Sequence, residues 1–562
     1  MSGIVDVHIE RLRTAVLKKH TAASIAKWIT EETTYGGQPY SYVGHEYQEA
    51  ILSDTSVEVN VQKCSQVGVS EASARMALAM VNVISPFTVA YTLPTAHFAG
   101  TFTKTRVDTV IDGSKLMKSA IHKTTDNNEI KRFGDSFLYV RGAASSNAPI
   151  SIPCDMLIHD EYDFSAQDVL TQYISRLTHS KWKFIRRFST PTLPDFGINK
   201  EFKQSRRFLN LCKCNHCNFW FTPDYYSHVK IPDFKGDLRI MNKQTLSKIR
   251  WKEAKLHCPS CHKVPNLMPQ HREYVCENPD SGYVAAGYQV SPFDAPTIID
   301  TSYLVKASTD YARVQDFVNF GLGLPAEDSE ATLTREDFVN LFVHAEGSAG
   351  VNVMGVDVGN VYHFVVGSVD AWGDMVILHR EQVPMGTAKK RYGELRSKFR
   401  VVCSVIDSGP HAETVMSLQE QDPNLYASVY MRSKSILTHN VVDKDKDKDK
   451  GQEFLRQVNV NRSRAFDGFM NFIRENHLTI LKTEEDELFI QHHCSMKRVK
   501  QFDSESGEMV YSWVKTDGED HFHHAALYCW LAGKIKGVSS PTIILPTTGV
   551  FTFRNKSELA RD

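Results

Sequence analysis

Residues 63–70 read KCSQVGVS and nearly spell a phosphate-binding loop. In the usual form, G-x-x-x-x-G-K-[ST], the lysine reaches the β and γ phosphates and the hydroxyl holds Mg2+. Here Gly68 and Ser70 keep their places, Val69 fills the lysine position, and Lys63 fills that of the first glycine. A lysine at the front of the loop reaches the same oxygens from the other end, so the groups that hold ATP are all present. About ninety residues on, CDMLIHDEYD closes an apolar run with two acids. ATP hydrolysis needs such a pair, Asp160 to bind Mg2+ through water and Glu161 to polarise the attacking water. FSTPT then places Ser189 and Thr190 at the end of another apolar run, where they are expected to sense the γ phosphate. Each pattern alone also reads as a turn; their order along one chain favours the ATPase.

Two further groups carry chemistry. CNHC and CPSC present Cys214, Cys217, Cys258 and Cys261 as paired knuckles about forty residues apart, the spacing of a closed four-thiolate zinc site. Cys212, His216, His257, His262 and Cys276 lie close by as competing donors. Farther on, Asp357 sits in the apolar run VMGVDVG, Asp407 ends VIDSGP, and Asp520 and His521 lead GEDHFHHAALYCWLAG, with His524 one turn later. An unpaired carboxylate in an apolar strand costs several kcal/mol to desolvate. Acids converging from strands and a helix suit two divalent metals acting on a phosphodiester. Oxygen donors of this kind point to Mg2+ or Mn2+. A turn-capping acid and a structural His524 are the bland readings of the same residues.

The elements that must position these groups are those of an α/β multidomain protein. VEVNVQKC, PFTVAYTLPT, DSFLYVRG, CDMLIHDE and KWKFIRRFSTPT alternate with helical patterns such as SEASARMALAMVNVI, which marks a parallel sheet with crossover helices. The cysteine-rich stretch interrupts it as an insertion. A second α/β pattern opens near 351 with strand, hairpin, helix and strand. The expected domains are a helical segment at 1–34, an ATPase domain at 35–204, a zinc-ribbon insertion at 205–285, a helical remainder at 286–346, a nuclease domain at 347–540 and a tail at 541–562. The first segment is amphipathic and fits either packing on its own domain or docking on a partner. DKDKDKDK at 443–450 reads as a solvated loop.

The chain has 562 residues, too many for one core. Lys plus Arg is 65 and Asp plus Glu is 66, so no net field draws in nucleic acid and any such binding is local. No signal peptide or membrane-length apolar run stands out, and eleven cysteines fit a reducing compartment, so a soluble intracellular protein is expected.

Together these segments resemble the large terminase subunit of tailed bacteriophages, in its lambda-like branch. The resemblance runs through YQEAIL, KCSQVGVSEASA, VAYTLPTAHFAGTFTKTRVDTVI, the DE pair, STPT, the CxxC knuckles, FVNFGLGLPAED, GVDVG and the HHAALY helix. It implies a P-loop (ASCE-type) ATPase with a zinc-ribbon insertion, followed by a ribonuclease H-like nuclease. The implied cofactors are ATP, Mg2+ or Mn2+, and structural Zn2+. The implied activity is ATP-driven pumping of double-stranded DNA into a procapsid and cutting of the concatemer, in the host cytoplasm. Its partners would be the portal protein, the small terminase subunit and further copies in a ring, without a membrane. By the same resemblance Lys63, Gly68 and Ser70 hold phosphates and Mg2+, Tyr47 and Gln48 contact adenine, and Ser189 and Thr190 couple hydrolysis to movement. Arg141 becomes the arginine finger, with Arg106 and Arg132 competing. Asp357, Asp407 and either Asp520 or His524 form the nuclease site. A helicase-like translocase with an inactive C-terminal domain, and a zinc-ribbon DNA-binding protein with a vestigial loop, are the alternatives.

Overall fold

The computed structural model describes residues 24–144, 152–327, 332–344, 350–431, 436–441, 456–502, 509–516 and 518–536. Most of the N-terminal segment, the DKDKDKDK run and the tail lie outside them. The chain divides into two units, residues 1–331 with 498–512, and residues 332–497 with 513–562.

The first unit is built on a mostly parallel sheet. Its parallel strands are β1 (Glu58–Lys63), β2 (Thr88–Leu93), β3 (Ser136–Gly142), β4 (Met156–Asp160), β5 (Phe184–Ser189), β6 (Arg206–Lys213) and β7 (Ala286–Val290), with antiparallel strands added at both ends. Their spatial order is β6-β7-β1-β5-β4-β2-β3, all parallel. β4 and β5 are buried along their whole length, as strands covered on both faces must be, which explains their unbroken apolar runs. Helix α1 (Val69–Val83) crosses from β1 to β2 and buries one long face against the sheet. Residues 24–32 are helical, and Ile25 and Ile29 sit in the same core, so this part of the N-terminal segment packs on its own unit.

Two elements differ from the sequence reading. Residues 286–290 are not part of a helical remainder but form β7, wedged between β6 and β1. β6 itself joins the sheet, so the cysteine-rich insertion grows out of the sheet edge rather than from a loop. It keeps a separate cluster of buried side chains that includes Cys212, Phe221, Tyr225 and Leu256.

The second unit holds a nine-stranded sheet. β8 (Val351–Asp357), β9 (Val361–Val369) and β10 (Met375–Pro384) form an antiparallel meander. On the other side of β8, β11 (Cys403–Asp407) and β12 (Leu425–Tyr430) run parallel to it. Helices α2 (Asp486–Cys494) and α3 (His521–Ile535) pack on this sheet. Gly355 lets α3 lie directly on β8: a Cβ there would stand 2.0 Å from the Ala525 carbonyl oxygen and 2.1 Å from the Cys529 amide.

Candidate functional site

β1 delivers Lys63, only 5% exposed, to the start of the loop. The loop then turns through Gln66 and Gly68, both at positive φ (64° and 69°), the second of which glycine accepts without strain. Gly68 is the N-cap of α1 and has no side chain to cap with. The first-turn N–H groups and the positive end of the helix are therefore left for an anion. Lys63, Gly68 and Ser70 line a cleft of about 650 Å3 with Gln48, Tyr40, Arg106 and Glu161.

Glu161 enters from the end of β4 in a left-handed conformation (φ 53°), and its carboxylate lies 3.3 Å from the Lys63 ammonium. Burial pulls the lysine down, but Glu161 and Asp160 outweigh it and hold Lys63 above its ordinary range. Burial pushes the Glu161 carboxyl up, and Lys63 only partly offsets this. Asp160 is buried behind the pair. It accepts a hydrogen bond from Tyr91 Oη at 2.8 Å, and Tyr91 in turn lies 2.8 Å from the Ser73 hydroxyl of α1. Asp160, Tyr91 and Ser73 of α1 are thus joined by one short chain of hydrogen bonds.

In the insertion, Sγ of Cys214 is 3.7 Å from that of Cys261, and Cys217 is 3.7 Å from Cys258. Sulfurs bound tetrahedrally at about 2.3 Å stand roughly 3.8 Å apart, so the four thiols are spaced to take one ion. The two knuckles fold alike: the N–H of Asn218 donates to Cys214 and that of His262 to Cys258, and both Asn218 and His262 adopt positive φ. The backbone amide of Phe219 draws the Cys217 thiol down to about 7.

In the second unit, Asp357 ends β8 with its Oδ2 2.8 Å from His521 Nδ1, and His521 Nε2 is 3.1 Å from Glu519. His363, paired with Asp357 across β8 and β9, stacks its ring on His521 at 4.7 Å. Asp357, His363 and His521 offer three ligand atoms within 4.8 Å of one another, and Glu519, Asp520 and His521 form a second such group. Asp520 also lies 3.3 Å from His524, which is 3.2 Å from the Tyr430 hydroxyl. Asp407 ends the neighbouring strand beside Asp357 but belongs to neither group; burial and the Asp357 charge push its carboxyl up to about 6.

Residues 35–275 match the family model of the phage terminase large subunit gpA ATPase domain. This part of the chain is similar to the ATPase domain of phage terminase large subunits. Solved structures similar to the whole chain include the large terminase of bacteriophage HK97, at 11% identity and a TM-score of 0.47, covering 91% of this chain and 98% of that one. The large terminase of the thermophilic bacteriophage D6E follows at 9% identity and a TM-score of 0.30, covering 92% and 98%. The large terminase ATPase domain of Thermus phage P74-26, at 12% and 0.30, covers 51% of this chain and 94% of its own. No protein of curated function matches the chain. Among the described residues no helix is long and apolar enough to cross a membrane.

Within the first unit several of the expected site residues lie elsewhere than the sequence suggests. Tyr47 does not line the cleft; it is buried, and its hydroxyl donates to the Val67 carbonyl at 2.6 Å, so it props the loop from behind. Gln48 does line the cleft while donating to the same carbonyl. Arg141 lies away from the cleft, paired with Glu129, whereas Arg106 lines it and pairs with Glu71. Arg132 is outside as well, beside Asp135. Ser189 and Thr190 are buried and do not line the cleft.

Asp163, the last acid of DEYD, has no role evident from the sequence and is a hub of the fold. Its N–H donates to Ser189 Oγ at 3.1 Å, while its carboxylate accepts from the Thr192 amide and hydroxyl and from the Ile198 amide, at 2.6–2.9 Å. The DE turn and the STPT turn are thereby clasped together. His363 and Glu519 carry no motif in the sequence, and His521 marks there only the start of a helix. Beside the carboxylates and His524 expected at the second site, the structure places the imidazole rings of His363 and His521.

Proposed function

We propose that the protein is a DNA-packaging motor whose first unit hydrolyses ATP and whose second unit is a metal-dependent endonuclease of ribonuclease H-like topology. The observation that carries the motor is the Lys63–Glu161 pair at the mouth of the loop cleft. In that cleft Lys63 and the first turn of α1 neutralise the phosphates, and the Ser70 hydroxyl and Asp160 suit Mg2+. Glu161 orients the attacking water, and Arg106 supplies the further positive charge near the transferring phosphoryl group. Asp163 carries the change at the DE turn to Ser189 and Thr190, which gives the coupling motif its physical route.

For the second unit the reading is supported by the meander β8-β9-β10 followed by parallel strands beside β8, and by Asp357 and Asp407 at adjacent strand ends next to the start of α3. Asp357, His363, His521 and Asp520 are the residues that would hold divalent metal. When bound, the metal supplies activated water and stabilises the leaving oxygen of a phosphodiester. The chain's own residues orient the donors: Glu519 holds the His521 ring, and Tyr430 holds the ring of His524. The four cysteines would hold a structural zinc ion, keeping the two knuckles together. Double-stranded DNA, the portal, the small subunit and further copies of the chain are the proposed partners.

One paired assay tests this: DNA-stimulated ATPase and Mg2+- or Mn2+-dependent plasmid cleavage, on wild type, Lys63→Ala and Asp357→Ala. Lys63→Ala is expected to lose hydrolysis and keep cleavage, and Asp357→Ala the reverse. Normal cleavage by Asp357→Ala sinks the nuclease half, and strand separation without cleavage points instead to a helicase-like translocase.

A further inference from the structure

We propose that Glu71 and Arg75 are positioning residues that hold Arg106 over the loop cleft and keep its charge available to the nucleotide. The inference rests on the ATPase reading of the first unit and adds how the arginine of that reading is placed.

Arg106 lies in a single π-turn, Thr103–Val107, an irregularity that departs from ordinary helix geometry and recurs at functional positions. Its side chain is 40% exposed and lines the cleft with Lys63, Ser70 and Glu161. A long cation so exposed samples many rotamers unless a partner holds it. Glu71 is that partner. It follows Ser70 in the first turn of α1, and its two carboxylate oxygens are divided, one pairing with Arg106 and the other with Arg75.

Arg75 does not line the cleft. Its side chain is 1% exposed, and every nitrogen of its guanidinium is committed. Nε donates to Thr33 Oγ1 at 3.2 Å and Nη2 to the Thr34 carbonyl at 2.7 Å, while Nη1 donates to both the carbonyl and the carboxylate of Glu71. The Tyr40 ring covers the group, with its centre 4.3 Å from the guanidinium carbon. A cation fastened on all sides is a fixed point from which Glu71 is aimed.

Charge gives the arrangement its second purpose. A carboxylate in the first turn of α1 stands where the helix would otherwise receive a phosphate, and alone it would cancel the charge of Arg106. Arg75 supplies the compensating cation from the buried side, where the pair is screened least. Two guanidiniums then face one carboxylate, and the positive charge left over is on the arginine that reaches the cleft.

The test uses the full chain and two readouts. Steady-state ATP hydrolysis gives kcat and KM, and isothermal titration with ADP and with ATPγS gives the preference for a γ phosphate. Arg106→Ala is expected to lower kcat by about a hundredfold. Glu71→Ala and Arg75→Ala should each lower kcat at least about tenfold with KM changed less than about threefold. The Glu71→Ala/Arg106→Ala double variant should be no more than about threefold slower than Arg106→Ala, because Glu71 acts through Arg106. Arg75→Lys keeps the compensating charge but not the fork, and should stay within about threefold of wild type, whereas a guanidinium needed only for packing would not be replaced by lysine. ADP affinity is the control for folding, and the nearly isosteric Glu71→Gln carries the test if Arg75→Ala does not fold.

Multiplicative losses in the double variant, an Arg75→Lys as slow as Arg75→Ala, or a kcat within about twofold of wild type in both Glu71 variants overturns the proposal. A wild-type chain that hydrolyses no ATP removes the ATPase reading instead. In that case the positioning role stands if Glu71→Ala lowers the preference for ATPγS over ADP as far as Arg106→Ala does, and is overturned if the preference is unchanged.

Discussion

The Lys63 ammonium and the Glu161 carboxylate stand 3.3 Å apart, so the cation of the loop and the acid at the end of β4 are partners of one another. A phosphate entering the loop competes with Glu161 for this lysine and frees the carboxylate to turn toward water. Lys63→Ala should lower ATP hydrolysis by about two to three orders of magnitude. Glu161→Gln should bind nucleotide near normally yet hydrolyse it at least about a hundredfold more slowly. Phosphate release and binding of a fluorescent nucleotide check both. Val69→Lys should not rescue Lys63→Ala, because a lysine at position 69 would leave Glu161 without the partner that Lys63 provides 3.3 Å away.

Asp163→Ala cuts the clasp between the DE turn and the STPT turn. Nucleotide affinity should change less than about threefold, because Asp163 does not line the cleft. Stimulation of the ATPase by DNA should disappear, the signature of a broken connection rather than a lost ligand. Equal loss of affinity and stimulation would mean that the clasp only holds the fold.

Cys258→Ser should remove the bound zinc measured by elemental analysis. Because ligation and folding of such knuckles are linked, amide exchange should accelerate across residues 213–263 while β1 and β4 stay protected. A chelator should reproduce the pattern on the wild type.

Several buried histidines of the second unit, His363, His492, His493 and His523, have lowered pKa values and contribute to its pH dependence, and His493 is one that can be isolated. It is fully buried among Phe338, Phe469 and Phe489, and that burial lowers its pKa from 6.5 to about 3. The unfolded chain therefore binds a proton between those values that the folded chain refuses. Stability should fall as pH drops below 6.5, by about 1.4 kcal/mol per pH unit for this residue. His493→Phe should reduce that slope by this residue's share, read as the pH dependence of amide exchange in α3. A slope unchanged by the substitution would assign the acid sensitivity elsewhere.

What the sequence makes legible here is what spacing alone encodes. Lys63, Gly68 and Ser70 fall within eight residues, Asp160 and Glu161 are adjacent, and each cysteine pair is separated by two residues, so one local stretch carries each arrangement. Placements decided by long-range pairing stay hidden. β7 has no motif of its own and becomes a sheet strand only because β1 and β6 present edges on either side. His363 meets Asp357 through the β8–β9 register, and Tyr47 turns from an expected adenine contact into a prop because the loop folds back over it. The choice between Arg141 and Arg106 is of the same kind: nothing in their local sequence says which faces the cleft.

Gly355 carries a consequence for how the second site keeps its dimensions. With no side chain between them, β8 and α3 meet main chain to main chain, and Asp357 and His521 are mounted on that junction two and four residues from its closest points. Their separation is therefore set by the thickness of two backbones and not by any packed side chain. Repacking of the surrounding core can proceed without retuning the pair, whereas one added methyl, in Gly355→Ala, works as a shim that pries the donors apart while leaving every donor in the sequence unchanged.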